Sequence, residues 1–249
     1  MSVLRSSFSI LPNSNRFIES YLWKSGFVDW NHLDPVLLEK LGVKYPEWEL
    51  GIAEAEKAIQ EKKIHFFLER LQYIDYWRLF EDFQECFTYV DIETTGLKET
   101  DSVTVIGMYS NKTLLQLVKG TREYETFVED LPADTVFVSY NGKSFDVPVL
   151  EAQFQVKLPF PHIDLMNFLH RLGVKGGLKK SEEILGIDRG EFKGMQGYDA
   201  VVLWNQYQLT QNQSLLEKLL KYNSLDIENL EVIFAKVYEM FLKKFQLGR

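Results

Sequence analysis

The feature that most constrains this chain is an apolar run, residues 86–90, that ends in two carboxylates, Asp91 and Glu93. In a β-strand the side chains of residues i and i+2 point to the same face, so these two carboxylates are expected side by side. A Thr-Thr-Gly sequence follows and favours a turn that ends the strand. Carboxylate oxygens suit Mg²⁺ or Mn²⁺, and a cation would relieve the repulsion between the pair. An ordinary polar strand end also fits two acids alone.

Two further acidic segments follow in the chain. The apolar run 136–140 predicts a strand, and Asp146 then opens a predicted helix. Tyr222 and Asp226 are four residues apart in a segment with helical periodicity, so they share one helix face. Each segment alone has a plain structural explanation, as a turn or as the edge of an amphipathic helix. Their combination in this order favours a shared site.

The three segments together resemble the motifs of the DEDD exonuclease superfamily. Residues 91–97 read Asp-x-Glu-Thr-Thr-Gly-Leu, which is similar to the first motif, and residues 141–146 read Asn-x-x-x-Phe-Asp, like the second. Residues 222–226 match the third motif in its Tyr-x-x-x-Asp form. The histidine subtype would need His five residues before Asp226, and that position is Lys221. The tyrosine (DEDDy) subtype is therefore the better match.

This resemblance implies a role for each motif residue. Two ions, Mg²⁺ or Mn²⁺, would be held by four acids, namely Asp91, Glu93, Asp146 and Asp226. Tyr222 would orient the attacking water and complete the catalytic set. The implied substrate-binding residues are Thr94, Thr95 and Leu97 in the pocket of the terminal nucleotide, and Asn141, which would position the loop of the second motif.

Segments between the second and third motifs narrow the resemblance. Residues 162–164 read as a short strand that enters a helix, and residues 178–187 resemble a short helix that the family carries after that strand. Residues 194–207 are most similar to the YprB-like branch of ribonuclease-H-like proteins. The family resemblance covers residues 87–241.

The pattern from residue 87 onward predicts an α/β domain of the ribonuclease-H-like class. Strands are expected at 87–92, 103–109 and 114–118, with a tight turn at residues 111–112. These three strands would be antiparallel, and strands at 136–140 and 162–164 would complete a mixed five-stranded sheet flanked by helices. Right-handed crossovers place the fourth strand beside the first. A helix is expected at residues 122–131.

The first 84 residues predict a helical N-terminal region, and residues 85–249 the catalytic domain. Helical periodicity is clear across residues 51–84, and no flexible spacer separates this segment from the first strand. The start resembles a helix-hairpin-helix, but Asn13-Ser14-Asn15 replaces the glycine-containing turn that such hairpins use against phosphate. A structural helical cap is favoured over direct phosphate binding.

Composition indicates the class of protein. A chain of 249 residues with 45% hydrophobic content can bury one large or two small cores. The single cysteine, Cys86, cannot form an internal disulfide and is expected to be buried and inert. No apolar run is long enough for a membrane span, and the chain does not begin with a signal-peptide pattern. We expect a soluble cytoplasmic protein with no membrane partner.

The net charge of −8 is unusual for a nucleic-acid-binding protein. Residues 86–249 contain 18 basic and 22 acidic side chains, so removing the four acids assigned to metal leaves that part balanced. A small basic patch, Arg171, Lys175, Lys179 and Lys180, fits a solvated loop and a phosphate contact equally well.

The resemblance implies a metal-dependent 3′–5′ exonuclease that acts by a two-metal mechanism on single-stranded DNA or RNA 3′ ends. The alternative is a catalytically weak nucleic-acid-binding or scaffold protein that retains the fold. Retention of all four acids and of Tyr222 favours the enzyme, whereas the acidic net charge favours the alternative. The sequence does not distinguish DNA from RNA and identifies no protein partner.

Overall fold

The chain forms two compact units. The computed structural model describes residues 2–96, 102–126, 132 and 134–247. One unit comprises Met1–Gln84 together with Tyr238–Arg249, and the other comprises Glu85–Val237. The long C-terminal helix, Gln213–Phe245, contributes residues to both.

The N-terminal unit is built from short helices. Its α-helices before the sheet are α1 Arg16–Lys24, α2 Pro35–Lys40, α3 Tyr45–Gln60 and α4 Ile64–Leu68. Its 3-10 turns include Val3–Ser6, Phe8–Ile10, Trp30–His32 and Tyr73–Leu79. The prediction that residues 51–84 are helical throughout is wrong, because the helix α3 ends at Gln60. Lys62 takes a left-handed φ of 55°, and the Lys63 N–H donates to the Ala58 carbonyl at 2.9 Å, which ends α3 in a hydrogen-bonded cap.

The breaks bring apolar side chains from successive segments into one core. Phe67 and Phe83 pack with ring centroids 5.5 Å apart. Trp77 is fully buried and stacks on Phe241 at 4.8 Å, within the same unit. The aromatic residues of this segment thus form core, as expected.

The second unit contains a five-stranded mixed sheet. Its strands are β1 Phe87–Thr94, β2 Val103–Ser110, β3 Thr113–Val118, β4 Val136–Ser139 and β5 His162–Asp164. The strand order is β3-β2-β1-β4-β5; the pairs of β2 with β1 and β3 are antiparallel, and those of β4 with β1 and β5 are parallel. This confirms the predicted sheet. Asn111 and Lys112 take φ values of 48° and 62° in the β2–β3 turn, as a tight hairpin requires.

Helices cover both faces of the sheet. They are α5 Arg122–Glu125, α6 Asp146–Phe154, α7 Leu165–Arg171, α8 Leu178–Leu185, α9 Gly197–Thr210 and α10 Gln213–Phe245. A 3-10 turn, Gln84–Cys86, precedes β1, and another, Gly190–Phe192, lies between α8 and α9. Of the predicted helix 122–131, residues 127–131 lie outside the described residues. In the described part of the chain, no helix combines the length and apolar character of a membrane span.

The alternation of β1 sends its apolar and acidic residues to opposite sides. Val90 and Ile92 belong to the core cluster that α6 helps to cover. The opposite core cluster contains residues of β2, α9 and α10, including Tyr222. Asp91 and Glu93 therefore project toward α10, which carries the third-motif acid.

Candidate metal centre

Three predicted acids converge where β1 meets α10. Asp91, Glu93 and Asp226 each offer a carboxylate oxygen, and these oxygens all lie within 4.8 Å of one another. Glu93 and Asp226 are buried, with 7% and 3% of their surface exposed. Hard oxygen ligands at this spacing suit a divalent cation, so the cluster is a candidate metal centre.

The local geometry of β1 places the pair. Asp91 pairs with Gly107 and Glu93 with Val105 in the antiparallel β1–β2 register, which shifts between Glu93 and Thr94. A bulge bends its strand and re-aims the neighbouring side chains. The irregularity thus falls immediately after the acidic pair.

An amide that the sequence analysis missed fixes Asp91. Asn223 is fully buried, and its Nδ2 donates to Asp91 Oδ2 at 3.1 Å. Gln116 Nε2 donates to Asn223 Oδ1 at 3.0 Å, which orients the amide. Asn223 lies three residues before Asp226, on the same face of α10, and this spacing was the signal available in the sequence.

Two cations pair with Asp226. Lys179 Nζ lies 3.0 Å from Asp226 Oδ2. Arg189 Nη2 lies 2.6 Å from Asp226 Oδ1, at an angle that makes the contact an ion pair rather than a hydrogen bond. The same guanidinium donates from Nη1 to both oxygens of the buried Glu182, at 2.7 and 2.6 Å. Sequence analysis placed Lys179 in a basic patch and missed Arg189.

The electrostatics of the centre favour a bound cation. The Asp91 carboxyl is screened from water, although the residue as a whole is partly exposed. This desolvation raises its pKa well above the ordinary value, and Asp226, Asp146 and Glu93 raise it further. Desolvation is also the largest cause that raises the pKa of Glu93 to about 8. Carboxylates that repel one another and are largely desolvated fit a hard divalent cation, which would favour their charged forms.

Asp146 lies apart from this group. Its buried carboxylate accepts the Ile92 N–H at 3.2 Å, and among the described residues the converging oxygens come from the other three acids. Burial raises the pKa of Asp146 to about 7. The preceding loop begins at Asn141, which takes a φ of 62° and donates its N–H to Asp164 at 2.8 Å. Asp164 thereby holds the loop that leads into α6.

A cavity of about 680 Å³ opens onto the centre. Thr94, Thr95, Tyr198 and Tyr222 are among its lining residues. The Tyr222 hydroxyl is buried, and within the described residues it has no hydrogen-bond partner. Burial, followed by the negative charge of Asp226, raises the pKa of Tyr222. Asn141 does not line this cavity in the described part of the chain. The predicted pocket residue Leu97 lies outside the described residues.

A family model for the RNase_H superfamily (RNase_H_2) matches residues 88–238, which is the sheet and the helices that carry the acidic cluster. The chain belongs to the RNase_H superfamily. This membership confirms the predicted ribonuclease-H-like fold.

The chain is also similar to a curated protein of a bacterium. The uncharacterized protein YprB of Bacillus subtilis (strain 168) is 29% identical over 180 residues, which are 63% of this chain and 43% of that protein. The chain therefore spans less than half the length of this relative. The expected similarity to the YprB-like branch is confirmed.

Two solved structures are similar at low scores. The family B DNA polymerase from Pyrobaculum calidifontis gives a TM-score of 0.45 at 17% identity, covering 64% of this chain and 24% of that chain. Brucella melitensis NrnC with bound Mg²⁺ gives a TM-score of 0.35 at 17% identity, covering 67% of this chain and 88% of that chain.

Proposed function

We propose that this chain is a metal-dependent 3′–5′ exonuclease of the tyrosine (DEDDy) subtype. It hydrolyses phosphodiester bonds at the 3′ ends of single-stranded DNA or RNA. One observation carries the proposal: Asp91, Glu93 and Asp226 converge within 4.8 Å beside a cavity that Tyr222 also lines. The superfamily membership supports a nuclease, and the order of the motifs supports the subtype.

The acids of the centre hold the metal in this proposal. Asp91, Glu93 and Asp226 would hold one ion, Mg²⁺ or Mn²⁺, and Asp146 would hold the second. When bound, the two ions supply an activated water and offset the charge that develops at the phosphate and the leaving oxygen. Asn223 and Gln116 keep the Asp91 carboxylate in place through the hydrogen bonds described above.

Tyr222 orients the attacking water in this proposal. Its hydroxyl is buried and, in the part of the chain that the structure describes, has no other partner. It does not act as the base, because its pKa is raised above the ordinary value of 10 and the phenol stays protonated at neutral pH.

The substrate strand enters by the same cavity. Thr94 and Thr95 line the pocket of the terminal nucleotide, and we assign Leu97 to it as well from the motif alone. Asn141 positions the second-motif loop through its backbone bond to Asp164. Tyr198 lines the cavity and is 75% exposed, so its ring can stack on a base.

One observation favours a second candidate, a catalytically weak protein that binds nucleic acid or serves as a scaffold. Both oxygens of Asp226 are already paired with cations, Lys179 and Arg189. If these pairs persist when metal is present, Asp226 does not act as a ligand and hydrolysis is weak.

The location in the cell and the role of the N-terminal unit also remain proposals. We propose a cytoplasmic location, because the single cysteine, Cys86, cannot form an internal disulfide and lies buried. We further propose that residues 1–84 stabilise the protein rather than bind the strand.

A degradation assay tests the function. Single-stranded DNA and RNA labelled at the 5′ end are incubated with the protein and Mn²⁺ or Mg²⁺, with EDTA and an Asp91→Ala variant as controls. The expected result is a ladder that shortens from the 3′ end, dependent on metal and absent in the variant. Strand binding without any metal-dependent cleavage would favour the second candidate. Cleavage that Asp91→Ala leaves intact would reject the site.

A further inference from the structure

A second cavity adjoins the metal centre and differs from it in charge. This groove has a volume of about 760 Å³. It is lined by Gly177, by residues of α8 and by residues of the connection between α8 and α9. Lys179 lines both the groove and the cavity at the centre. Lys179, whose ammonium group contacts Asp226, therefore lies at the border of the two spaces.

The groove is basic. Among the described residues that line it, four carry positive charge, namely Lys179, Lys180, Arg189 and Lys193, and two carry negative charge, Glu183 and Asp188. Lys179 and Arg189 are engaged by Asp226. Lys180 and Lys193 are exposed, so their ammonium groups can bind a negatively charged ligand.

Lys180 remains able to bind an anionic ligand although it forms an ion pair. Lys180 Nζ lies 2.8 Å from Glu183, and their side chains are 57% and 70% exposed. Exposed pairs of this kind contribute little free energy, so a phosphate can replace the carboxylate. At the metal centre the negative charges dominate instead, because three carboxylates converge there.

The groove exposes backbone at two glycines and at the start of α8. Gly177 and Gly194 lie on its wall and present no side chain to a ligand. Gly177 is also the N-cap of α8, and within the described residues the first turn of that helix has no side-chain cap. The uncapped amides add positive potential to that of the lysines.

We propose that the groove binds the phosphodiester backbone of the strand on the 5′ side of the nucleotide that lies at the centre. Lys180 and Lys193 contact successive phosphates, and the strand passes from the groove to the centre beside Lys179. The proposal rests on the proposed function, because it takes the 3′ end to lie at the acids. It also reconciles a chain of net charge −8 with an anionic substrate, since the basic potential is local.

The test measures the salt dependence of strand binding. Wild type and the double variant Lys180→Gln/Lys193→Gln bind a labelled single strand of about ten nucleotides in EDTA, which prevents cleavage. The matched control is Lys218→Gln/Lys221→Gln, which removes the same charge from exposed positions on α10. Circular dichroism and melting curves establish that all three proteins are folded.

The expected result is a smaller salt slope for the groove variant. Each phosphate that the protein no longer neutralises lowers the slope of log affinity against log salt by about 0.7, so two such phosphates lower it by about 1.4. If the proteins bind equally at 1 M salt, this slope corresponds to about 25-fold weaker binding at 0.1 M. The control should keep the wild-type slope. A mononucleotide has no phosphodiester bond on its 5′ side, so its affinity should be the same for the groove variant and wild type.

Cleavage measured on the same wild-type preparation separates the two proposals. Metal-dependent cleavage together with a wild-type slope in the groove variant would overturn the groove and leave the function standing. A reduced slope in the groove variant without wild-type cleavage would support the groove and reject the exonuclease. Absence of strand binding by the wild type would overturn the groove in either case.

Discussion

Gly107 lies opposite Asp91 in the β1–β2 pair, where side chains of α10 lie against the backbone of β2. A Cβ atom at position 107 would lie 2.1 Å from Ile227 Cδ1 and 2.2 Å from Asn223 Oδ1. Both neighbours are fully buried, so neither can move without disturbing the core. The absence of a side chain on β2 therefore allows the amide of Asn223 to reach Asp91.

Gly107→Ala should destabilise the protein and weaken its metal binding. Overpacking of a buried site typically costs about 1–3 kcal/mol, and here the displaced helix carries Asp226. Denaturant unfolding and Mn²⁺ titration measure the two effects. Gly197→Ala is the control for stability, since a Cβ there meets nothing within 4 Å. Unchanged unfolding and metal binding in Gly107→Ala would mean that α10 is not held by this contact.

Asp91→Ala should abolish the binding of Mn²⁺ measured by calorimetry. Asp91 is one of three converging ligands, and Asn223 orients its carboxylate. Glu217→Ala serves as the control, because Glu217 is an exposed acid on α10 outside the cluster. Metal affinity equal to that of the wild type in Asp91→Ala would reject the assigned centre.

Tyr222→Phe should lower kcat and leave the affinities for metal and strand nearly unchanged. A hydroxyl that only orients water acts in the transition state, and its removal is expected to slow cleavage about 10–100-fold, which equals about 1.4–2.7 kcal/mol. Tyr207→Phe is the matched control, since Tyr207 packs against the same core cluster. Wild-type turnover in Tyr222→Phe would assign this tyrosine to packing alone.

The metal-free protein should lose stability as the pH rises, and Glu93 should account for part of the loss. The pKa of Glu93 is raised from 4.5 to about 8 in the folded state, so the folded protein holds this proton more tightly than the unfolded one. That contribution to stability is complete below pH 4.5 and is lost as the pH rises to about 8.

Glu93→Gln carries no titrating group at this position, so its melting temperature in EDTA should fall less between pH 5 and pH 8 than that of the wild type. Asp91 and Asp146, whose pKa values are also raised, leave a residual fall. Mn²⁺ should restore the wild type at pH 8 and have less effect on Glu93→Gln. Parallel melting curves for the two metal-free proteins across this range would contradict the assignment.

Removing residues 1–84 should leave an insoluble or strongly destabilised remnant. Tyr238–Arg249 belong to the same compact unit as these residues, and Trp77 stacks on Phe241 within it. Each large apolar side chain that becomes exposed costs about 1.5–3 kcal/mol, against a net stability of about 5–15 kcal/mol.

A shorter chain provides the comparison. Residues 85–237 lack both parts of the N-terminal unit, so they should be more soluble than residues 85–249. Thermal melts and filter binding decide the role of the N-terminal region. A soluble 85–249 chain with the wild-type melting temperature and no strand affinity would assign nucleic-acid binding to residues 1–84.

Local patterns in the sequence were enough to predict the sheet. Alternation at residues 87–92 predicted both the strand β1 and the shared face of Asp91 and Glu93, because side-chain direction in a strand depends only on residue parity. Turn chemistry predicted the hairpin at Asn111-Lys112, and crossover handedness predicted that β4 lies beside β1. Helical spacing likewise placed Tyr222 and Asp226 on one face.

Periodicity did not predict where helices end. Residues 51–84 keep an apolar face throughout, yet the helix stops at Gln60 because the left-handed turn at Lys62 lets the next segments pack into the same core. That outcome depends on the tertiary packing of Phe67 and Phe83, which lie sixteen residues apart in the sequence.

The sequence by itself placed Asp91 and Glu93 on one strand face and Asp226 on a helix, because those properties depend on spacing along one strand or one helix. Only the tertiary structure decided what surrounds them. Lys179 and Arg189 meet Asp226, and Asn223 meets Asp91, across 47, 37 and 132 positions of the sequence. Contacts between such distant positions depend on how closely the helices pack on the sheet and on each other, and no local period encodes that distance.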